Sequence, residues 1–323
     1  MHVVHVSRWR LPVVGYGGVP RVVSWLAKAQ AEQGDKVTIL GPPGSSCPGA
    51  TSIAVPVPKS VPDYSPYIGP YVPPDADVIH FHHMPTVEPR LPWIITSQGN
   101  SPAELEYRPN KVYISRSHAA RGGGTAFVYN GIDPDEFIYR ERKDDYLLFI
   151  SKVSRRVKGV DVALRLAREL GFRLLVAGGT RFSLRKTGGL WNSVRADVHF
   201  CGMVSGRRKA ELLAGARALI FPIRWEEPFG LVVTEALVSG TPVITTPHGS
   251  MPELVTPDVG FLCDSYDALK LAVQRCGDID PQACRRRVLE HFTNQHSAVA
   301  YRRYYREAIA RRAELAECGA CSQ

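Results

Sequence analysis

Residues 218–245 read ALIFPIRWEEPFGLVVTEALVSGTPVIT, and the fold turns on this stretch. An apolar run over 218–222 has the length of a buried strand. A polar loop follows it, then an apolar segment of helical length over 230–239, then a second short apolar run over 242–245. Strand, helix and strand in such quick succession are the unit of a parallel sheet.

The alternation continues outward from this unit. Upstream lie a strand over 146–151, a helix over 160–170 capped by Gly171, strands over 172–177 and 198–201, and a helix over 207–216. Downstream a short helix is expected over 252–255. The first half is read in the same way, with strands over 3–6, 36–40, 77–82, 93–97, 111–115 and 126–129. Its first helix carries Val19, Val22, Val23, Leu26 and Ala27, with Pro20 in the first turn and Gly34 at the C-terminal end. The proline-rich stretch over 42–74 reads as irregular. Asn130-Gly-Ile-Asp-Pro134 is turn chemistry that links two halves, and 291–316 reads as a long charged helix with Val299, Tyr304, Tyr305 and Ile309 along one side. The expectation is an α/β chain of two Rossmann-like, doubly wound domains. They are an N-terminal domain over 1–134 and a C-terminal domain over 135–290. Residues 291–323 form a helix that returns to the first, and a tail. Ligands of such sheets bind outside the carboxyl ends of the strands, which here implies a cleft between the two domains.

Composition narrows the class. The chain has 323 residues, 44% hydrophobic and 22% charged, which suits two globular domains rather than disorder. Its longest apolar runs are strand-sized, and the N-terminus opens on a strand rather than on a leader, so a cytoplasmic location is expected. Seven cysteines without paired spacing argue against a disulfide framework, and Cys318-Gly-Ala-Cys321 reads as a frayed tail. The formal net charge of +9 suits an anionic substrate, an acidic membrane surface or nucleic acid, and does not choose among them.

Three stretches carry chemistry. In Arg224-Trp-Glu-Glu-Pro-Phe-Gly-Leu-Val-Val-Thr-Glu235, Glu227 stays in a loop and Glu235 lies inside the following helix. The amides of Phe229, Gly230 and Leu231 at that helix start make an anion site, and Glu235 is suited to vicinal ribose hydroxyls. Acidic residues placed for dipole complementarity are the plainer explanation of Glu227 alone, though not of the whole string. In Ser151-Lys-Val-Ser-Arg-Arg-Val-Lys-Gly159, Lys152 and Lys158 can clamp a pyrophosphate, although a solvated basic loop is the commoner meaning of such a run. In Gly15-Tyr-Gly-Gly-Val-Pro20, the glycines let the backbone approach phosphate, a weak signal alone.

Together these stretches resemble family 4 of the glycosyltransferases, the retaining family with the GT-B fold. The resemblance also takes in Asn130-Gly-Ile-Asp133, Glu235-Ala-Leu-Val-Ser-Gly-Thr-Pro-Val243 and His248-Gly-Ser-Met-Pro-Glu253. It implies a short member that transfers a hexose or related sugar from a nucleoside diphosphate donor, UDP preferred. It implies that Glu227 and the amides of Phe229, Gly230 and Leu231 hold the sugar and distal phosphate. Glu235 would bind ribose, Met203 would meet the base through its backbone, and Gly17 and Gly18 would approach the phosphates. Lys158 matches the family's pyrophosphate lysine. Lys152 replaces its usual arginine, keeping the charge and losing the bidentate fork. Gln98 in Thr96-Ser-Gln-Gly-Asn100 replaces a common histidine that contacts donor or acceptor. Lys152, Lys158 and Glu227 are the expected catalytic set, with no metal and no cofactor. The acceptor is an unnamed hydroxyl, on a glycan, a lipid-linked molecule or a small molecule, and peripheral contact with a membrane or polyanion stays open.

Two other readings accompany this one: a sugar transferase acting on modified nucleic acid bases, and a non-catalytic nucleotide-sugar-binding protein. His80-Phe-His-His83 reads as structural for want of an acidic partner. Lys186-Thr-Gly-Gly-Leu190 reads as a coincidental glycine motif, and Tyr301, Tyr304 and Tyr305 read as helical packing.

Overall fold

A computed structural model describes residues 1–320 other than 14, 16, 59 and 60. The chain divides into two compact units, Met1–Gly131 with Asn294–Gln323, and Ile132–Thr293. The sequence reading placed these boundaries after 134 and after 290.

Unit 1 is a six-stranded parallel sheet of β1 (His2–Val6), β2 (Lys36–Gly41), β3 (Thr51–Ala54), β4 (Val78–Phe81), β5 (Trp93–Thr96) and β6 (Lys111–Val112). Their order is β3-β2-β1-β4-β5-β6, so the chain reverses direction across the sheet between β1 and β4. Strand β1 is buried along its whole length, as a central parallel strand must be. Helix α1 (Gly18–Glu32) buries Val22, Val23, Trp25, Leu26 and Ala27, with Pro20 in its first turn. Gly34, just beyond it, takes a φ of +86°. The short helices α2 (Pro102–Leu105) and α3 (Arg116–Arg121) follow β5 and β6.

Strand β3 lies within the stretch read as irregular. It is a mostly exposed edge strand, TSIA, without the apolar pattern that marks a buried one. The strand expected over 126–129 is reduced to one bridge, Tyr113 with Phe127. The C-terminal helix is Asn294–Ala320 and packs against α1 and β5. It starts later than expected because Pro281–His291 is a helix of its own. Its inward side is Ala298, Tyr301, Tyr305 and Ala308, while Val299, one position and about 100° further round, is 59% exposed. Of the terminal cysteine pair, Cys321 lies outside the described residues.

Unit 2 carries β7 (Leu147–Ile150), α4 (Val160–Leu170), β8 (Leu174–Ala177), α5 (Leu190–Val194), β9 (Val198–Gly202), α6 (Gly206–Gly215) and β10 (Ala218–Phe221). It continues with α7 (Leu231–Val238), β11 (Val243–Thr245), α8 (Met251–Leu254), β12 (Gly260–Leu262), α9 (Tyr266–Arg275) and α10 (Pro281–His291). The sheet order is β12-β11-β10-β7-β8-β9, again parallel, with its switch point between β10 and β7. Gly171 caps α4 in the left-handed conformation, as expected. Beyond the sequence reading the sheet gains β12 and its face gains α9 and α10. No helix among the described residues is long and apolar enough to cross a membrane.

Candidate active site

In unit 2 the loops after β7 and β10 leave the sheet at its switch point, where doubly wound folds place ligands. The first loop ends in a 3-10 turn, Arg156–Lys158, closed by Gly159 at φ +77°. A Cβ on Gly159 would stand 2.0 Å from the Pro222 carbonyl oxygen, so glycine lets the two loops touch. The Arg224 amide donates to the Val157 carbonyl at 2.8 Å. Its guanidinium forks onto Asp161 at 2.8 and 3.2 Å, fixing both loops to α4.

This join buries Lys158 and Glu227 side by side. The Lys158 ammonium donates to Glu227 Oε2, which also accepts the Trp225 indole N–H at 2.7 Å. The same ammonium stands 4.4 Å from the centre of the Trp225 ring. Burial pushes the Lys158 ammonium below the usual lysine value, and the Glu227 carboxylate opposes that shift.

The loop after β11 buttresses this arrangement from beneath. Glu226 accepts the Gly249 amide at 2.6 Å. The Ser250 amide donates to the Glu227 carbonyl at 3.0 Å, and the Ser250 hydroxyl donates to the Phe229 carbonyl at 2.6 Å. Gly249 is wedged here, since a Cβ would lie 2.3 Å from the Glu227 backbone. Gly230 then caps α7 at φ +87°, bringing Phe229, Gly230 and Leu231 to the helix start. Phe229 is buried and Leu231 half-buried.

One turn into α7, Glu235 is buried and accepts from Lys209 on α6. Sequence reasoning missed Lys209. The available signal was energetic: a lone glutamate in a helix apolar on every side needs a buried cation. Trp225 was read only as part of a string, and its bond to Glu227 was missed. Lys152 is exposed on the same loop as Lys158, and Met203 is 55% exposed just beyond β9.

Three candidates lie in unit 1. Gly17 caps α1 in extended conformation and Gly18 is its first residue. A Cβ on Gly17 would press on Pro20 at 3.0 Å, and the neighbouring Tyr16 is outside the described residues. Gln98, just after β5, accepts from Asn130 at 3.2 Å and keeps its own Nε2 buried without a partner.

Residues 132–276 match the model of the family described as glycosyl transferases group 1. This segment is similar to the group 1 glycosyltransferases. Beyond it, the chain is 29% identical over 210 residues to an MMP alpha-(1->4)-mannosyltransferase of Mycolicibacterium hassiacum, covering 56% of this chain and 48% of that protein. It is 28% identical over 221 residues to a D-inositol 3-phosphate glycosyltransferase of Mycobacterium tuberculosis, covering 59% and 45%. The chain thus spans less than half the length of these curated relatives. Among solved structures, AviGT4, a glycosyltransferase involved in avilamycin A biosynthesis, matches 96% of this chain and 98% of its own. Its TM-score is 0.77 at 27% identity. HepE of Anabaena, solved with UDP and glucose, shares the fold at a TM-score of 0.67 and 14% identity, over 93% and 98%. The fold is GT-B, and the matched segment contains the Lys158–Glu227 pair, the α7 start and the Lys209–Glu235 pair.

One cluster in unit 1 has metal-like spacing. The ring nitrogens of His5, His80 and His82 lie within 4.8 Å of one another. His82 Nδ1 is buried without a hydrogen-bond partner, and the other ring nitrogens are engaged. His5 bonds His82 at 2.9 Å and Gln30 at 2.6 Å, and His80 bonds Tyr305 at 2.8 Å and Thr96 at 2.6 Å. Desolvation lowers His5 to about 4 and depresses His80 and His82 strongly. The Gln30–Tyr305 bond at 2.8 Å joins the three rings into one neutral hydrogen-bonded network. His83 does have an acidic neighbour that the sequence reading missed, Asp63 at 3.0 Å.

Proposed function

We propose that the chain is a retaining glycosyltransferase that moves a hexose or related sugar from a UDP-sugar to a hydroxyl acceptor. The observation that carries this reading is the buried Lys158–Glu227 pair, held by Trp225 beside the start of α7. Each partner satisfies the other until an anion arrives. A diphosphate then draws the ammonium to itself, with Lys152 as the exposed second cation, and the start of α7 takes the distal phosphate. Glu227, released, accepts hydroxyl protons of the sugar.

Glu235 binds the ribose hydroxyls. Lys209 holds one of its carboxylate oxygens. In the chemical step the bond between C1 and the phosphate oxygen breaks and the bond to the acceptor oxygen forms on the same face. The hydroxyl proton passes to the departing phosphate. Because ammonium groups and a helix end carry the leaving charge, transfer proceeds in the presence of EDTA. The HepE complex with UDP supports the choice of base.

The test is a thermal-shift series with uridine, guanosine and adenosine diphosphates and their sugars. UDP or a UDP-sugar at a hundred times its dissociation constant should add about 2.7 kcal/mol of stability. No shift with any nucleotide sinks the proposal. Activity lost to EDTA and restored by magnesium removes its metal-independent part.

A further inference from the structure

The crossover from β8 to β9 is a 3-10 turn, Arg181–Lys186, followed by the five residues of α5. Its inner side is well fastened. Leu184, Thr187 and Ser193 are buried, and Arg181 donates to the Ser193 carbonyl at 3.2 Å, tying the turn to α5. Gly189 sits against α4, where a Cβ would meet Leu164 at 3.0 Å.

Its outer side is apolar. Phe182 and Trp191 are the most exposed large apolar side chains among the described residues, at 78% and 75%, and Leu190 and Val194 stand out beside them at 46% and 60%. Each exposed ring has an arginine next to it, Arg185 at 5.8 Å from Phe182 and Arg195 at 5.6 Å from Trp191. The stretch 178–196 contains four basic residues, Arg181, Arg185, Lys186 and Arg195, and no carboxylate.

We propose that residues 181–195 seat unit 2 on an anionic lipid bilayer. Tryptophan and arginine side by side suit the headgroup zone, where an amphipathic ring and a cation are both solvated. The cations are attracted to anionic lipid, and the aliphatic and aromatic groups enter the acyl boundary. Single-stranded nucleic acid would use the rings and arginines but has no use for Leu190 and Val194. A protein interface also favours aromatic rings and arginine, but four cations with no carboxylate among them in 178–196 complement a surface that is uniformly anionic. The surface stands independently of the catalytic reading.

The experiment is flotation of the full chain with phosphatidylcholine vesicles, with and without phosphatidylglycerol. Binding should require phosphatidylglycerol and weaken as salt rises. The double variants Phe182→Ser/Trp191→Ser and Arg185→Glu/Arg195→Glu should each lose binding by about tenfold or more, while the melting temperature stays near that of the parent. Should either double variant misfold, brominated lipids provide the second measurement: they should quench the parent's tryptophan fluorescence more than that of Trp191→Phe. Vesicle binding unchanged in the variants, equal binding to both vesicle types, or capture by a single-stranded oligonucleotide but not by vesicles overturns the proposal.

Discussion

The two units bury polar groups in opposite ways where their sheets switch direction. Unit 2 buries charge: Lys158 against Glu227 and Lys209 against Glu235, each cation facing one carboxylate. Unit 1 buries neutral rings, and Gln30 fixes every proton among them. Its amide oxygen accepts from His5 Nε2, so His5 Nδ1 accepts from His82. Its amide nitrogen donates to the Tyr305 oxygen, so the Tyr305 proton goes to His80 Nδ1 and His80 Nε2 donates to Thr96. Thr96 and Tyr301 close the chain at 2.7 Å. A charged pair can exchange partners when an anion arrives, whereas a neutral chain finds its hydrogen bonds within itself. The first suits a site and the second a scaffold.

Breaking a charged pair should therefore cost more than breaking a link of the neutral chain. The largest effect on stability is expected for Lys209→Met, which takes the cation away from the buried Glu235 carboxylate. Denaturant unfolding should show a loss approaching about 3–5 kcal/mol, moderated by the slight exposure of Lys209. A loss below about 1 kcal/mol would mean that water already reaches Glu235.

Lys158→Ala should lower turnover by about 10²–10³, with a smaller change in donor affinity, because the ammonium acts most as the diphosphate leaves. Glu235→Ala should raise the donor Michaelis constant with less change in turnover, and Glu227→Ala should harm both. Steady-state kinetics separate the three. A normal turnover number in Lys158→Ala removes that lysine from the mechanism.

The neutral chain makes unit 1 sensitive to acid. His5 is lowered to about 4 in the folded state against an ordinary value of 6.5, so below pH 6.5 the unfolded chain binds the extra proton. The contribution is complete above pH 6.5 and falls away as pH drops from there toward 4, by about 3 kcal/mol for His5 alone. Denaturation midpoints at several pH values should show this slope, flattened in His5→Gln. A midpoint flat from pH 7 to 5 would contradict it.

The smallest effect is expected for Tyr305→Phe, which strands the Gln30 N–H and His80 Nδ1 at a cost of about 1–3 kcal/mol. Turnover per folded molecule should be unchanged. A fall in turnover equal to that of Lys158→Ala would end the division between scaffold and site.

The legible part of the molecule was the part whose signal is local. Strand, loop and helix around Glu227 follow from apolar runs and glycines within a few residues, so unit 2 reads well. Strand β3 did not, because an exposed edge strand such as Thr51–Ala54 has no buried face to impose alternation. The C-terminal helix was legible as a helix, yet its inward side was misjudged at Val299: the sheet it covers is far away in sequence. In the site, Lys158, Glu227 and Glu235 stood out by spacing, but their partners did not. Lys158 meets Glu227 across 69 positions and Lys209 meets Glu235 across 26, distances that no periodicity links.

The route of the chain through unit 1 has a consequence for its birth. Gln30 waits 275 positions for Tyr305, and His80 waits 225. At roughly 5–20 residues per second, synthesis leaves those groups and the face of β5 uncovered for tens of seconds, while all of unit 2 is made and folds as one contiguous piece. The strands of unit 1 are thus sealed only after unit 2 has been made, and the helix Asn294–Ala320 acts as the latch.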